Sequence, residues 1–273
     1  MIIIVSPTVE PVTLTEVKSQ LGITDTNSDT QLTRRITEAR KWAEGYMKRS
    51  IMPQTHEIRL DSFAHWLQLR FPPVVSLLSV KYVAGDGTVT TIDAADYELD
   101  AAQMIPFVRP VYGNSWPVPR CESSAVRIQY TAGYPVTALD TAKTITGITK
   151  ATPGVVTSAG HGFSDGDLIR LAIAGMTELD GLLYRVYSKG TDTFQLAKPT
   201  NDGAISTASY TTFTSGTVQK VSVAVPEIVI EAIIVLVGHW TNFQSRIEGG
   251  NFITRVPIAV EQMLDSEKVW GFV

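Results

Sequence analysis

The side chains best suited to chemistry in this 273-residue chain crowd into one short stretch, Gly160-His161-Gly162-Phe163-Ser164-Asp165-Gly166-Asp167. A histidine beside a serine and two aspartates has the residue types of a hydrolytic relay, and closely spaced carboxylates have those of a calcium loop. The spacing argues against both. Members of a relay come from separate parts of a chain, because sequence neighbours rarely align three side chains in series. A calcium loop needs a longer series of oxygen ligands ending in glutamate. A plain turn motif is therefore expected here. The other histidines, His56, His65 and His239, fall on different elements, and none has the short paired spacing of a metal site. Cys121 is the only cysteine, so neither an intrachain disulfide nor a thiol pair for a metal is available. No glycine-rich phosphate loop occurs. No catalytic residue, metal or cofactor is expected.

Charge narrows the field further. Twenty-three Lys and Arg against twenty-seven Asp and Glu leave a net charge of −4. Sequence-independent DNA binding needs a basic excess, so a dedicated DNA binder is disfavoured. Residues 1–5 are apolar but have no basic leader and stop at Ser6-Pro7, which does not make a signal peptide; the protein is expected to start here. The most apolar run, residues 228–240, contains Glu231 and His239 and is shorter than the ~20 residues of a membrane span. A buried helix is expected there, and no membrane partner.

Two helices are predicted near the N-terminus. Thr13-Leu14-Thr15-Glu16 has capping-box spacing, with a helix running on to Gly22. Ser28-Asp29-Thr30-Gln31 starts a second, in which Leu32, Ile36, Ala39, Ala43 and Tyr46 recur three and four apart. At roughly 20 residues it would be about 30 Å long. Its other face, with Arg34, Arg35, Glu38, Lys41, Glu44 and Lys48, is expected to be solvated and to carry pairs such as Glu44 with Lys48. After Pro53 the period becomes alternating, predicting strands at 55–60, 66–71 and 125–131 and a hairpin around Gly85-Asp86-Gly87. Residues 109–120, with three prolines and Trp116, are expected to form an irregular ordered arm.

From 137 to 222 the composition shifts to Thr, Ser, Gly and Val. Short strands are predicted at 144–150, 155–158, 168–174, 184–188, 193–196 and 217–221, enough for a small β-sandwich or barrel. Helical signals resume at Pro226, where residues 228–240 are apolar on nearly every side and should be covered all round, by their own domain and by a neighbouring subunit. A shorter helix follows Pro257. The fold class is thus α+β: a helical base with a β-hairpin and strand region (residues 1–136 and 223–273) and an inserted all-β sandwich or barrel domain (137–222). Trp116, Trp270 and Phe272 lie in irregular or terminal segments, where large aromatics serve as interface anchors, and they are the candidate partner interface. The tail, residues 269–273, is expected to dock on a partner and to be poorly ordered in the free subunit.

Several further motifs follow one another in a set order along the chain. They are Leu14-Thr15-Glu16-Val17-Lys18 with Leu21, Glu38-Ala39-Arg40 through Glu44, Gln54-Thr55, Leu60-Asp61-Ser62-Phe63 and Pro72-Pro73. The series continues with Ser79-Val80-Lys81-Tyr82, Asp96-Tyr97, Ser115-Trp116-Pro117, Val126-Arg127-Ile128 and Thr131-Ala132-Gly133-Tyr134, and resumes at Val225-Pro226-Glu227 and His239-Trp240. Together these motifs resemble the head-tail connector, or adaptor, proteins of long-tailed bacteriophages and prophages, whose ordinary members pass quickly from the Ala-Gly-Tyr turn to the Val-Pro-Glu helix start. Here a long excursion intervenes that looks like a small β module of phage virion proteins.

The resemblance implies a virion structural protein in the neck between head and tail, made in the host cytoplasm. It implies a dodecameric ring of this chain that contacts the portal protein on one side and a stopper or tail-completion protein on the other, with genomic DNA passing through the lumen without specific binding. Two further readings compete. One is a virion surface binding or decoration protein whose β insert grips a glycan or host factor. The other is a virion-associated hydrolase using His161 and Asp165.

Overall fold

The computed structural model describes residues 2–197, 204–244 and 256–270. The chain divides into two compact units, one of Met1–Pro7, Lys41–Pro135 and Ile258–Val273, the other of Thr8–Arg40 and Val136–Pro257.

The first unit is built on an antiparallel sheet in the order β1-β2-β8-β4-β5, formed by β1 (Ile2–Val5), β2 (Gln54–Leu60), β4 (Val74–Val83), β5 (Val89–Thr91) and β8 (Val126–Ala132). The alternation read in the sequence sets its buried face: Val126, Ile128, Tyr130 and Ala132 of β8 are all buried. The β4–β5 hairpin turns where predicted, with Gly87 at φ 91° and the Asp86 carboxylate accepting from the Thr88 N–H at 2.9 Å. A second sheet joins β3 (Leu67–Gln68), β7 (Phe107–Pro110) and β6 (Tyr97–Asp100). The strand expected at 66–71 is thus only two residues long. One further backbone hydrogen bond follows, from the Leu69 N–H to the Pro106 carbonyl at 2.8 Å, before the chain turns at Phe71, φ 59°. The helix α4 (Ile258–Asp265) completes the unit, with Val260 and Leu264 buried.

The second unit begins with α1 (Leu14–Leu21), whose cap is the predicted box: the Glu16 N–H donates to Thr13 Oγ1 at 3.1 Å and the Thr13 N–H to Glu16 Oε2 at 2.7 Å. Gly22, at φ 68°, ends it. The long helix α2 (Asp29–Met47) gives its residues up to Arg40 to this unit and the rest to the first. Its Arg40 is buried against Glu10, Nε to Oε2 2.6 Å, and the Thr37 hydroxyl donates to the other carboxylate oxygen at 2.9 Å. Helix α3 (Glu227–Gln244) approaches α1 so closely at Gly238 that a Cβ there would lie 2.7 Å from a Leu21 methyl. Val229, Ala232, Ile233, Leu236 and Val237 are buried, but Ile228 and Val235, seven apart on one face, are exposed. The all-round cover expected of this helix is therefore incomplete among the described residues. Among the described residues no helix is long and apolar enough to cross a membrane.

The rest of the unit is an eight-stranded sheet formed by β9 (Val136–Ala138), β10 (Lys143–Ile145), β11 (Gly147–Ile148), β12 (Val155–Thr157), β13 (Leu168–Ala174), β14 (Leu183–Tyr187), β15 (Thr193–Ala197) and β16 (Ser215–Val223). The path runs β10-β16-β13-β14-β15-β12-β11, with β9 also paired to β16. Its two ends, β10 and β11, are separated in sequence by Thr146 alone, so the sheet closes on itself and the all-β region is a barrel rather than a sandwich. The barrel has its own core, which includes Val156, Ile169, Leu171, Met176, Phe194 and Val218.

Candidate interaction surface

The stretch containing His161 is a turn that the barrel wall requires. His161 is buried with Phe163 and Phe194 at ring separations of 5.1 and 5.2 Å, and its Nδ1 accepts the Phe163 N–H at 3.0 Å. Asp165 accepts the Lys189 N–H at 2.8 Å. Asp167 accepts the Ser164 N–H at 2.8 Å and pairs with Lys220 at 2.8 Å. The carboxylates clamp turns, and no series linking Ser164, His161 and an aspartate is formed. Among the described residues no group of three or more His, Cys, Asp or Glu side chains is placed to hold a metal ion.

Trp116 is half-buried within the first unit. It stacks on Phe63 with ring centroids 4.8 Å apart and planes 7° apart, and its indole N–H points at the His65 carbonyl at 3.4 Å. Trp116 also lines a cleft of about 530 Å³ whose other walls include Tyr82, Asp93, Asp96, Asn114 and Pro117. The aspartates are held in place: Asp93 caps the Ala95 N–H at 2.9 Å, and Asp96 accepts from the Asn114 amide at 2.9 Å. Trp116 is thus both a core contact of the arm and part of its surface. The arm beside it displays Tyr112 and Val118 almost fully to solvent.

At the C-terminus the expectation needs amending. Val269 is buried and its N–H donates to the Met47 carbonyl at 2.9 Å, so the start of the tail belongs to the subunit's own packing. Arg49 holds the Glu267 carbonyl, and the Tyr134 hydroxyl donates to the Glu267 carboxylate at 3.1 Å. Beyond this anchor Trp270 is 62% exposed, with the Lys268 ammonium 4.6 Å from its ring centroid. The same ammonium lies 4.1 Å from the Tyr46 ring, and the Tyr46 hydroxyl donates to Asp265 at 2.7 Å. That hydrogen bond, with burial and the nearby carboxylates, pushes the phenol up to about 12. Phe272 lies outside the described residues.

Four buried polar side chains escaped the sequence reading. Glu44, expected to pair with Lys48 on a solvated face, is instead buried, accepting from the Ile51 N–H at 2.9 Å and the Gln54 amide at 3.0 Å. The helix stops at Met47 and Lys48 turns to φ 57°, which removes the i,i+4 geometry that a pair would need. The Glu10–Arg40 pair spans thirty positions, a distance that local pattern does not reveal. His56 lies between Phe71 and Tyr130, at ring separations of 5.9 and 5.5 Å, with Nε2 2.8 Å from the Ser50 hydroxyl. Burial pushes its pKa down to about 4.

With this geometry established, the chain can be set beside known proteins. Residues 11–94 match the family model of the phage gp6-like head-tail connector protein. Over its whole length the chain also shares its fold with chains of solved gene transfer agent (GTA) particles. It is similar to a chain of the virion of the native particle (13% identity, TM-score 0.55, covering 100% of this chain and 96% of that one). It is also similar to chains of the neck of the empty particle computed with C6 symmetry (13%, 0.53, 100% and 98%) and of the neck of the native particle computed with C12 symmetry (14%, 0.51, 100% and 98%). No curated protein sequence matches. At such identities the likeness is one of fold. Residues 11–94 are thus similar to the head-tail connector family, and the whole chain has the fold of the GTA chains.

Proposed function

We propose that this chain is a structural protein of the virion neck, one subunit of a connector ring that joins the portal protein to a stopper or tail-completion protein. The observation that carries this reading is the connector match over residues 11–94 in a chain whose entire length, barrel included, follows the fold of GTA neck chains. The assembly is a ring of identical copies, for which twelve is the expected number, and its work is recognition and sealing rather than bond making. A net charge of −4 suits a channel wall along which DNA slides without being held. Trp270, displayed beyond the Val269 anchor, is the group we assign to partner contact, with Trp116 as a second.

Removal of residues 270–273 tests this. The truncated subunit should melt within about 1 °C of the full chain, because the exposed Trp270 contributes little to its own fold. Attachment to portal-bearing heads, scored by electron microscopy, should be lost. Attachment that survives the truncation overturns the assignment of Trp270. Heads completed normally without the protein overturn the connector reading itself.

A further inference from the structure

The five-stranded sheet of the first unit is open, and neither of its apolar edges carries a charge or a proline. Monomeric proteins guard sheet edges with charges, prolines, bulges or short strands, because an unpaired row of N–H and C=O groups recruits another strand. Here the only guards among the described residues are bulges, one in β1 between Ile3 and Val5 and two in β4, and the shortness of β1. β1 forms one edge. It reads Ile2-Ile3-Ile4-Val5, with no charge and no proline, and its four side chains are 44–48% exposed. The other edge is shared. β5 pairs with β4 only at Lys81, Tyr82 and Val83, and beyond the Ile92 N–H donating to the Val80 carbonyl, the half of β4 from Val74 to Ser79 has no strand beside it among the described residues. That half reads Val-Val-Ser-Leu-Leu-Ser, again without charge. Its register against β8 slips twice, between Val74 and Ser76 and between Leu77 and Ser79, which leaves Val75 and Leu78 as extra residues, 52% and 54% exposed.

The two edges also match in direction. β1, β2, β8 and β4 alternate antiparallel throughout, so β4 runs opposite to β1. Four alternating strands form an even repeat. A second copy placed in the same orientation beside the first therefore brings its β1 antiparallel to the free half of β4, and the alternation continues unbroken from copy to copy. The lengths agree as well, with a four-residue strand set against six free residues.

We infer that copies of this chain join head to tail through their sheet edges, β1 of one adding antiparallel to residues 74–79 of the next. This rests on the ring reading above and gives it a contact. Such a contact is heterologous, joining two different patches, and a closed ring needs contacts of that kind, whereas pairing β1 with β1 would stop at a dimer. A four-residue strand pair covers on the order of a few hundred Å², well short of the ~1,200–2,000 Å² of a stable interface, so the copies should gain stability on closing the ring rather than as isolated dimers.

Paired cysteines test this directly in the full-length chain, with Cys121 changed to Ser. Ile3→Cys is combined in turn with Val75→Cys, Ser76→Cys, Leu77→Cys and Leu78→Cys, because antiparallel neighbours lie within disulfide reach. Mild oxidation should give one pairing a reducible ladder beyond the dimer. Moving the first cysteine to Val5 should shift the best partner towards Val74, as antiparallel pairing requires. Ile3→Lys with Val75→Lys, both at exposed positions, should leave the melting temperature within about 2 °C and abolish the rings seen by electron microscopy. Rings without a ladder, rings that survive the lysines, or a β1–β1 dimer from Ile3→Cys alone would each overturn the edge contact while leaving the ring reading intact. A chain that forms neither rings nor ladder, alone or on portal-bearing heads, overturns both.

Discussion

The barrel and the open sheet are antiparallel structures of similar alternation that handle their edges in opposite ways. In the barrel, β10 and β11 are practically one strand that pairs with β16 on one side and with β12 on the other, so the path has no loose end. Its core is filled from within by Phe194, Met176, Leu171 and their neighbours. In the first unit the sheet stops at β1 on one side and, beyond the short β5, at the free half of β4 on the other, with aliphatic side chains in solvent. Closure makes a module that is sufficient in itself, and an open sheet leaves binding capacity to be met by something else. The likeness of the strands conceals a difference: the barrel strands meet one another around the path, whereas the open sheet leaves strand edges unpaired among the described residues.

The contrast breaks first in the barrel core. Phe194 is fully buried against Phe163 and His161, and Phe194→Ala should destabilise the barrel by about 3–5 kcal/mol. Hydrogen exchange should show the loss in residues 143–223 and leave β2, β4 and β8 protected. Loss of protection in both regions would show that they unfold as one. A somewhat smaller effect belongs to the open sheet alone. His56 has its folded pKa lowered from 6.5 to about 4 by burial, so the unfolded chain takes up the proton first. The stability that neutral His56 confers is complete above pH 6.5 and is lost as the pH falls from there towards 4, by at most about 3 kcal/mol. Melting curves across that window should show a slope that His56→Phe removes, and an equal slope in the variant would assign the effect elsewhere. The smallest effect should follow from replacing residues 137–222 by a short Gly-Ser linker, which deletes the insert that we propose is separable. The β2–β8 and β4–β8 ladders make no use of those residues, so the remaining chain should stay soluble and unfold cooperatively. Aggregation or loss of cooperative unfolding would show that the insert is needed by the base.

Elements governed by near neighbours in the chain were legible in the sequence. Thr13, Glu16 and Gly22 specify both ends of α1, and alternation in 168–174 gives the inward and outward faces of β13. Where the outcome depends on distant contacts, the reading fell short. The three-residue strand β9 is too short to show a period, and Glu44 was assigned to solvent because its partners, the Ile51 N–H and the Gln54 amide, come from the turn after the helix. Trp116 sits in a proline-rich segment without any period, and there sequence alone does not separate a ring stacked on Phe63 from one offered to a partner. The exposure of Val75 and Leu78 follows from two register slips, which no residue type in β4 announces.

The way the barrel is entered and left bears on what the chain can tolerate. Val136 lies opposite Val223, and Ala138 opposite Val221, so the excursion departs and returns at adjacent points, joined by a ladder of its own. The entropy lost in closing a loop grows only with the logarithm of its length, and here that ladder offsets it locally. To the strand before it and the helix after it, the whole barrel is a tight turn. Material can be lengthened, shortened or exchanged beyond that clasp with little entropic penalty to the remainder.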